Sequence, residues 1–146
     1  MQNSRESKIL DKKLIEKKLK DYFSNKNEII AVYIFGSFYK QSFNNRSDLD
    51  LAVIFKEEID KFDKFDIKLK MLADIEDLIK IEVDLVDFEN VDLKIKHHIL
   101  DGKLIHCKNK KSLMIINTYK LSKLNKIGSR INYLTHWFTK DSELNS

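Results

Sequence analysis

A chain of 146 residues with 42% hydrophobic and 34% charged content is expected to form one domain around one core, and no apolar run approaches the roughly 20 residues of a bilayer-spanning helix. The single cysteine, Cys107, excludes an internal disulfide, and residues 1–6 lack the apolar centre of a secretory leader, so a reducing cytoplasmic setting is expected. The net charge of +4 conceals an asymmetry: residues 48–92 carry 15 acids against 6 bases, a net of −9, whereas residues 103–146 carry 9 bases against 2 acids, a net of +7. An acidic middle suits a bound cation, and a basic tail suits either an anionic partner or solvated helix faces.

The first predicted element is a helix over residues 7–24, where Leu10, Leu14, Ile15, Leu19, Tyr22 and Phe23 recur at helical spacing. Ser24-Asn25-Lys26-Asn27 breaks it. Ile29 to Phe35 is apolar and rich in β-branched and aromatic residues, the pattern of a buried strand. A short helix is expected from Ser37 to Gln41, a loop at Asn44–Ser47, and a second strand through Leu49, Leu51, Val53 and Phe55. Lys61 to Lys80 reads as an amphipathic helix with Phe62, Phe65, Leu69, Leu72 and Ile79 on one stripe. Ile81 to Phe88 alternates as a third strand. Val91 to Leu100 follows as a helix ended by Asp101-Gly102, and Lys103 to Cys107 as a short edge strand. A last helix is expected from about Ser112 to Phe138, with Leu121, Leu124, Ile127, Ile131, Leu134 and Phe138 on its stripe and Gly128 interrupting it. The order implies an α/β or α+β domain, a small sheet flanked by helices.

Three aspartates stand out. Asp48 and Asp50, at i and i+2, point to one face of the second strand, about 6–7 Å apart at Cα. If the third strand pairs beside the second, Asp84 lies roughly 5 Å across the ladder. Carboxylates converging in this way repel one another unless a cation joins them, and hard oxygen ligands select Mg²⁺ or Mn²⁺. Gly36-Ser37 follows the first strand directly, in a chain with only three glycines. Glycine permits close backbone approach, the N–H groups at a short helix start bind phosphate, and Ser37 adds a hydroxyl donor. The pattern is neither a Walker loop nor an EF-hand. His97-His98 and His106-Cys107 lack further ligands at zinc spacing and read as helix and strand faces.

Gly36-Ser37-x10-Asp48-x-Asp50, followed by Leu51-Ala52-Val53, resembles the minimal nucleotidyltransferases (MNT) of the DNA polymerase β superfamily. Arg46-Ser47-Asp48-Leu49-Asp50-Leu51 looks like that family's Ser-Asp-x-Asp-Leu core, Val83-Asp84-Leu85-Val86 like the strand bearing the third carboxylate, and Ile99 to Ile105 like its helix-to-strand ending. The similarity spans about residues 8–108, with a C-terminal helical extension at about 112–138. It implies a polymerase β-like fold in which Asp48, Asp50 and Asp84 are metal ligands, Asp84 also the base, and Gly36, Ser37 and Lys40 hold the triphosphate of ATP. Relatives often carry a second Gly after the Gly-Ser pair, where this chain has Gln41-Ser42.

Small stand-alone MNT proteins resemble the antitoxins of HEPN–MNT toxin–antitoxin pairs. The resemblance implies a Mg²⁺-dependent transfer of AMP from ATP to a tyrosine of a HEPN ribonuclease toxin, with a homodimer or a hetero-oligomer as the assembly. Two alternatives are a small-molecule nucleotidyltransferase, such as one modifying an aminoglycoside, and a non-catalytic antitoxin acting by binding. The C-terminal helix, with Tyr133, Trp137 and Phe138 near its end, suits either docking a helical partner or packing on its own sheet. Arg130-x5-His136 only faintly matches the ribonuclease motif of HEPN proteins. The basic tail lacks the aromatic interleaving of a strand-binding surface, which argues against nucleic acid.

Overall fold

The computed structural model describes residues 10–125. The chain divides into two compact units, residues 1–106 and residues 107–146. The first contains α1 (Lys12–Ser24), β1 (Ile29–Phe35), β2 (Leu49–Phe55), α2 (Lys61–Ile79), β3 (Val83–Asp87), α3 (Leu93–Leu100) and nearly all of β4 (Lys103–Cys107). The second contains α4 (Lys110–Asn125), whose first turn is capped by the Asn109 side chain accepting from the Ser112 N–H and hydroxyl. The expected stripe residues Ile127, Ile131, Leu134 and Phe138, together with Gly128, Arg130, Tyr133, His136 and Trp137, lie outside the described residues.

Four strands form one mixed sheet in the order β3-β2-β1-β4. β1 and β2 run antiparallel, with Phe35 opposite Asp50. β2 and β3 run parallel, with Leu49, Asp50 and Leu51 beside Val83, Asp84 and Leu85. A parallel pair needs a crossover, and α2 supplies it. Both central strands are buried almost throughout, which is why their sequences are near-continuous apolar runs. The core gathers Leu19 and Phe23 of α1, the inward residues of β1 and β2, Phe38, and Met71, Ile75 and Ile79 of α2. Burying each such side chain contributes about 1.5–3 kcal/mol.

Helix starts follow from local chemistry. Asp11, Asp60 and Asp92 each accept an N–H of the first turn, from Leu14, Asp63 and Ile95 respectively. Lys80 ends α2 in the left-handed region at φ 61°.

Three expectations are corrected. Ser37 to Gln41 is a succession of turns, not a helix: the Lys40 N–H reaches the Ser37 carbonyl and the Phe43 N–H the Lys40 carbonyl. The expected apolar stripe of α2 is buried only toward its C-terminal end, where Ile79 is buried and Leu72 packs against the core. Met71, Ile75 and Ile79 face the core, while Phe62, Phe65 and Leu69 face solvent. The sheet meets this helix along its C-terminal half, and the helix's apolar residues wind more than halfway around its surface. On α1, Leu14 is likewise exposed while Ile15, Leu19 and Phe23 are buried.

Candidate active site

The site is assembled at one end of the central strands. β1 ends at Phe35, and Gly36 turns away at φ 73°, a left-handed conformation that glycine adopts without strain. Glycine is required here for a second reason. A Cβ at position 36 would fall onto the Asp50 carboxylate, meeting Oδ2 and lying 3.1 Å from Cγ. The antiparallel register explains this approach, because Asp50 stands opposite Phe35 and thus faces the chain as it leaves β1.

Asp48 precedes the first residue of β2 and is delivered by a closed turn. The Asn44 side chain accepts from the Arg46 N–H at 2.8 Å, the Ser47 N–H reaches the Asn44 carbonyl at 2.9 Å, and the Ser47 hydroxyl accepts from the Asn44 N–H at 3.1 Å. Such Asx turns replace regular secondary structure with side-chain bonds. The Leu49 N–H then reaches the Glu82 carbonyl at 2.9 Å and starts the parallel ladder. Asp84 follows one residue into β3, in register with Asp50.

Electrostatics register Asp84 and Asp48 as neighbours of Asp50. The Asp50 carboxyl is pushed above its ordinary value, first by burial, then by the charges of Asp84 and Asp48, with His98 pulling the other way. Like charges gathered in one place disfavour ionisation in this manner. Asp48 and Asp84 are exposed, and Asp50 is half-buried. Among the described residues, no three His, Cys, Asp or Glu side chains close around a common point as a metal-holding group. Asp50 and Asp84 share a register position, and Asp48 stands at the lip of the strand.

The turn after Gly36 is anchored at its far end. The Tyr39 hydroxyl donates to Glu16 Oε2 of α1 at 2.5 Å, and the Lys103 ammonium of β4 meets Glu16 Oε1 at 2.9 Å. Burial pushes the Glu16 carboxyl up, but the bonds from Tyr39 and Lys103 outweigh it and the net displacement is downward. The Tyr39 hydroxyl is correspondingly pushed well above its usual range by burial and by its bond to Glu16. Lys12 holds the Lys40 carbonyl at 2.9 Å, so the Lys40 side chain projects exposed from a braced backbone.

Two contributors escaped the sequence reading. His98 stacks edge-on against Phe35, with ring centroids 5.9 Å apart, and acts electrostatically on Asp50. Gly102 lets the turn between α3 and β4 press on the end of β1: a Cβ there would meet the Ile34 carbonyl and lie 2.9 Å from the Phe35 Cα. The rarity of glycine in this chain was the available signal for Gly102; the nearness of His98 required the tertiary fold.

Comparison with known proteins agrees with this architecture. A search of curated proteins finds no match. Among solved structures, the chain is similar to the toxin–antitoxin complex MntA–HepT at 17% identity, covering 84% of this chain and 94% of that one, with a TM-score of 0.56. It is equally similar to a structure of a tri-AMPylated Shewanella oneidensis HEPN toxin in complex with MNT antitoxin, at 18% identity, 84% and 94% coverage and a TM-score of 0.56. A toxin–antitoxin structure with AMP-PNP matches at 20% identity, 86% and 95% coverage and a TM-score of 0.53. Identities this low show a shared fold. The family model for polymerase beta nucleotidyltransferases matches residues 17–111, a span that holds both central strands, all three aspartates and the Gly36-Ser37 turn. The chain belongs to the polymerase beta nucleotidyltransferase family.

Proposed function

We propose that this protein transfers AMP from ATP to a tyrosine of a partner HEPN ribonuclease toxin and thereby acts as its antitoxin. The observation that carries this reading is the placement of Asp50 beside Asp84 in the parallel ladder, with Gly36 turned against the Asp50 carboxylate. The similar structures, of an MNT antitoxin with a tri-AMPylated HEPN toxin and of a toxin–antitoxin with AMP-PNP, support the choice of nucleotide and acceptor.

Asp48, Asp50 and Asp84 supply hard oxygen donors, and the elevation of the Asp50 carboxyl, by burial first and then by the charges of Asp84 and Asp48, fits a site that receives positive charge. Asp48, Asp50 and Asp84 would hold Mg²⁺ or Mn²⁺. A divalent cation supplies charge neutralisation at the α-phosphate and the departing pyrophosphate. The backbone N–H groups of the Gly36-Ser37 turn and the Ser37 hydroxyl would hold the triphosphate, and the Lys40 ammonium would add a point charge. These donors come from turns, since no helix begins at Ser37. The tyrosine oxygen attacks the α-phosphorus in line. One P–O bond forms there as the bond to the β-phosphate oxygen breaks, and the phenolic proton passes to Asp84.

Incubation of the protein with its toxin partner, ATP and Mg²⁺, followed by intact-mass analysis, tests the reading. A gain on the toxin of one AMP or a multiple, absent with Asp48→Asn, is the expected result. A stable complex without mass gain would overturn transfer in favour of neutralisation by contact.

A further inference from the structure

The outward face of α2 is not accounted for by the fold or by the proposed chemistry. Phe62, Phe65 and Leu69 are 83%, 61% and 53% exposed. Single exposed hydrophobes are ordinary, but a contiguous set is not. These three recur at i, i+3 and i+7, so they form one ridge about 10 Å long on the helix surface.

Beside the ridge lies a cleft of about 400 Å³, lined by Lys61, Lys64, Phe65, Lys68, Asp87 and Asn90. Its one carboxylate is already committed. Asp87, almost fully buried, accepts from the Glu89 N–H at 3.0 Å and the Asn90 amide at 3.3 Å, and sits 4.0 Å from the Lys64 ammonium. Among the described residues, Lys61 and Lys68 meet no carboxylate within ion-pair distance. An apolar ridge thus adjoins a cleft with surplus positive charge.

We infer that the Phe62–Phe65–Leu69 face of α2 is a docking surface for an amphipathic helix of a partner protein, whose apolar side packs on the ridge and whose flanking Asp or Glu enters the Lys61–Lys68 cleft. The ridge is one helix wide and spaced as a helix face, so helix-on-helix packing covers it most completely. Charge complementarity selects an acidic flank and gives the contact its orientation. The aromatic pair supplies the anchors. This assignment does not rest on AMP transfer, because the surface is built of residues outside the proposed chemistry.

The test uses the full chain and two labelled peptides of about 20 residues, long enough to hold a helix. Each has a leucine face; one carries Glu along its flanks and the other Lys. Fluorescence anisotropy is read without nucleotide. The Glu peptide should bind, and the Lys peptide should bind at least about tenfold more weakly. Phe65→Ser with Leu69→Ser should abolish binding while leaving the melting temperature nearly unchanged, since both side chains are already exposed. Lys61→Glu with Lys68→Glu should invert the preference. Equal binding of both peptides, or binding indifferent to these substitutions, would overturn the inference. So would sedimentation showing that the wild-type chain forms dimers that Phe65→Ser dissolves, because the ridge would then be covered by a second copy.

Discussion

Substituting Gly36 by alanine addresses two features at once, the left-handed backbone and the contact with Asp50. At φ 73° an alanine is strained by about 1–2 kcal/mol. Its Cβ would also fall on Asp50 Oδ2, an atom of a side chain that can rotate. Turning Asp50 aside by an off-rotamer displacement costs about 0.5–1.5 kcal/mol more. Together these lower the melting temperature by roughly 6–14 °C, at about 4 °C per kcal/mol for a chain near 150 residues. The functional loss should exceed the structural one. Displacing a reacting group by 1 Å can cost about 10²-fold in rate, so AMP transfer at a temperature where the variant is folded should fall by about that factor. A double-mutant cycle separates the two causes. In an Asp50→Ala background the Cγ and Oδ2 atoms are gone and the nearest remaining atom, Cβ, lies at 3.4 Å, an ordinary contact. The penalty of Gly36→Ala should then shrink to the backbone cost of about 1–2 kcal/mol. Chemical denaturation of the four proteins measures it. An equal penalty in both backgrounds, or a Gly36→Ala protein with undiminished transfer, would show that the Gly36–Asp50 contact does not shape the site.

Asp50→Asn should abolish transfer yet stabilise the protein in the absence of divalent cations. Because the Asp50 carboxyl is held above its unfolded value, it contributes stability below that unfolded value and loses it as pH rises through its elevated folded one; melting curves of the variant should therefore decline less with rising pH across the carboxylate range. Tyr39→Phe should do the opposite at the acid end: it removes a donor from Glu16, whose depressed carboxyl gives stability that is lost as pH falls through the folded value, so the wild-type advantage of about 1.5–3 kcal/mol for a charged hydrogen bond should narrow in acid. Gly102→Ala forces a methyl group against the backbone of β1, where nothing can rotate away, and should cost about 1–3 kcal/mol in a denaturant titration; a neutral result would mean that β4 and its turn move independently of β1.

The strands and their consequence for the site were legible because the information is local. A run such as Ile29–Phe35 has no soluble alternative to burial on both faces, and Asp48-Leu49-Asp50 carries its own alternation. The neighbouring of Asp84 and Asp50 was legible only conditionally, since it required β3 to lie parallel beside β2, and that choice belongs to the crossover through α2. Other features were settled by tertiary packing alone. The α2 sequence offers apolar residues around more than half its circumference, and pattern cannot say which of them meet the sheet; contact with Met71, Ile75 and Ile79 left Phe62, Phe65 and Leu69 outside. The segment after Ser37 has no strong helix signal or breaker, and its Tyr39 and Lys40 are tied to α1 by bonds to Glu16 and Lys12 that span 23 and 28 residues, a pull that local propensity does not contain. Gly36 and Gly102 show the same division. Composition marked them as rare, but their necessity arises from the Asp50 carboxylate and the Phe35 backbone, atoms that only the folded chain brings within reach.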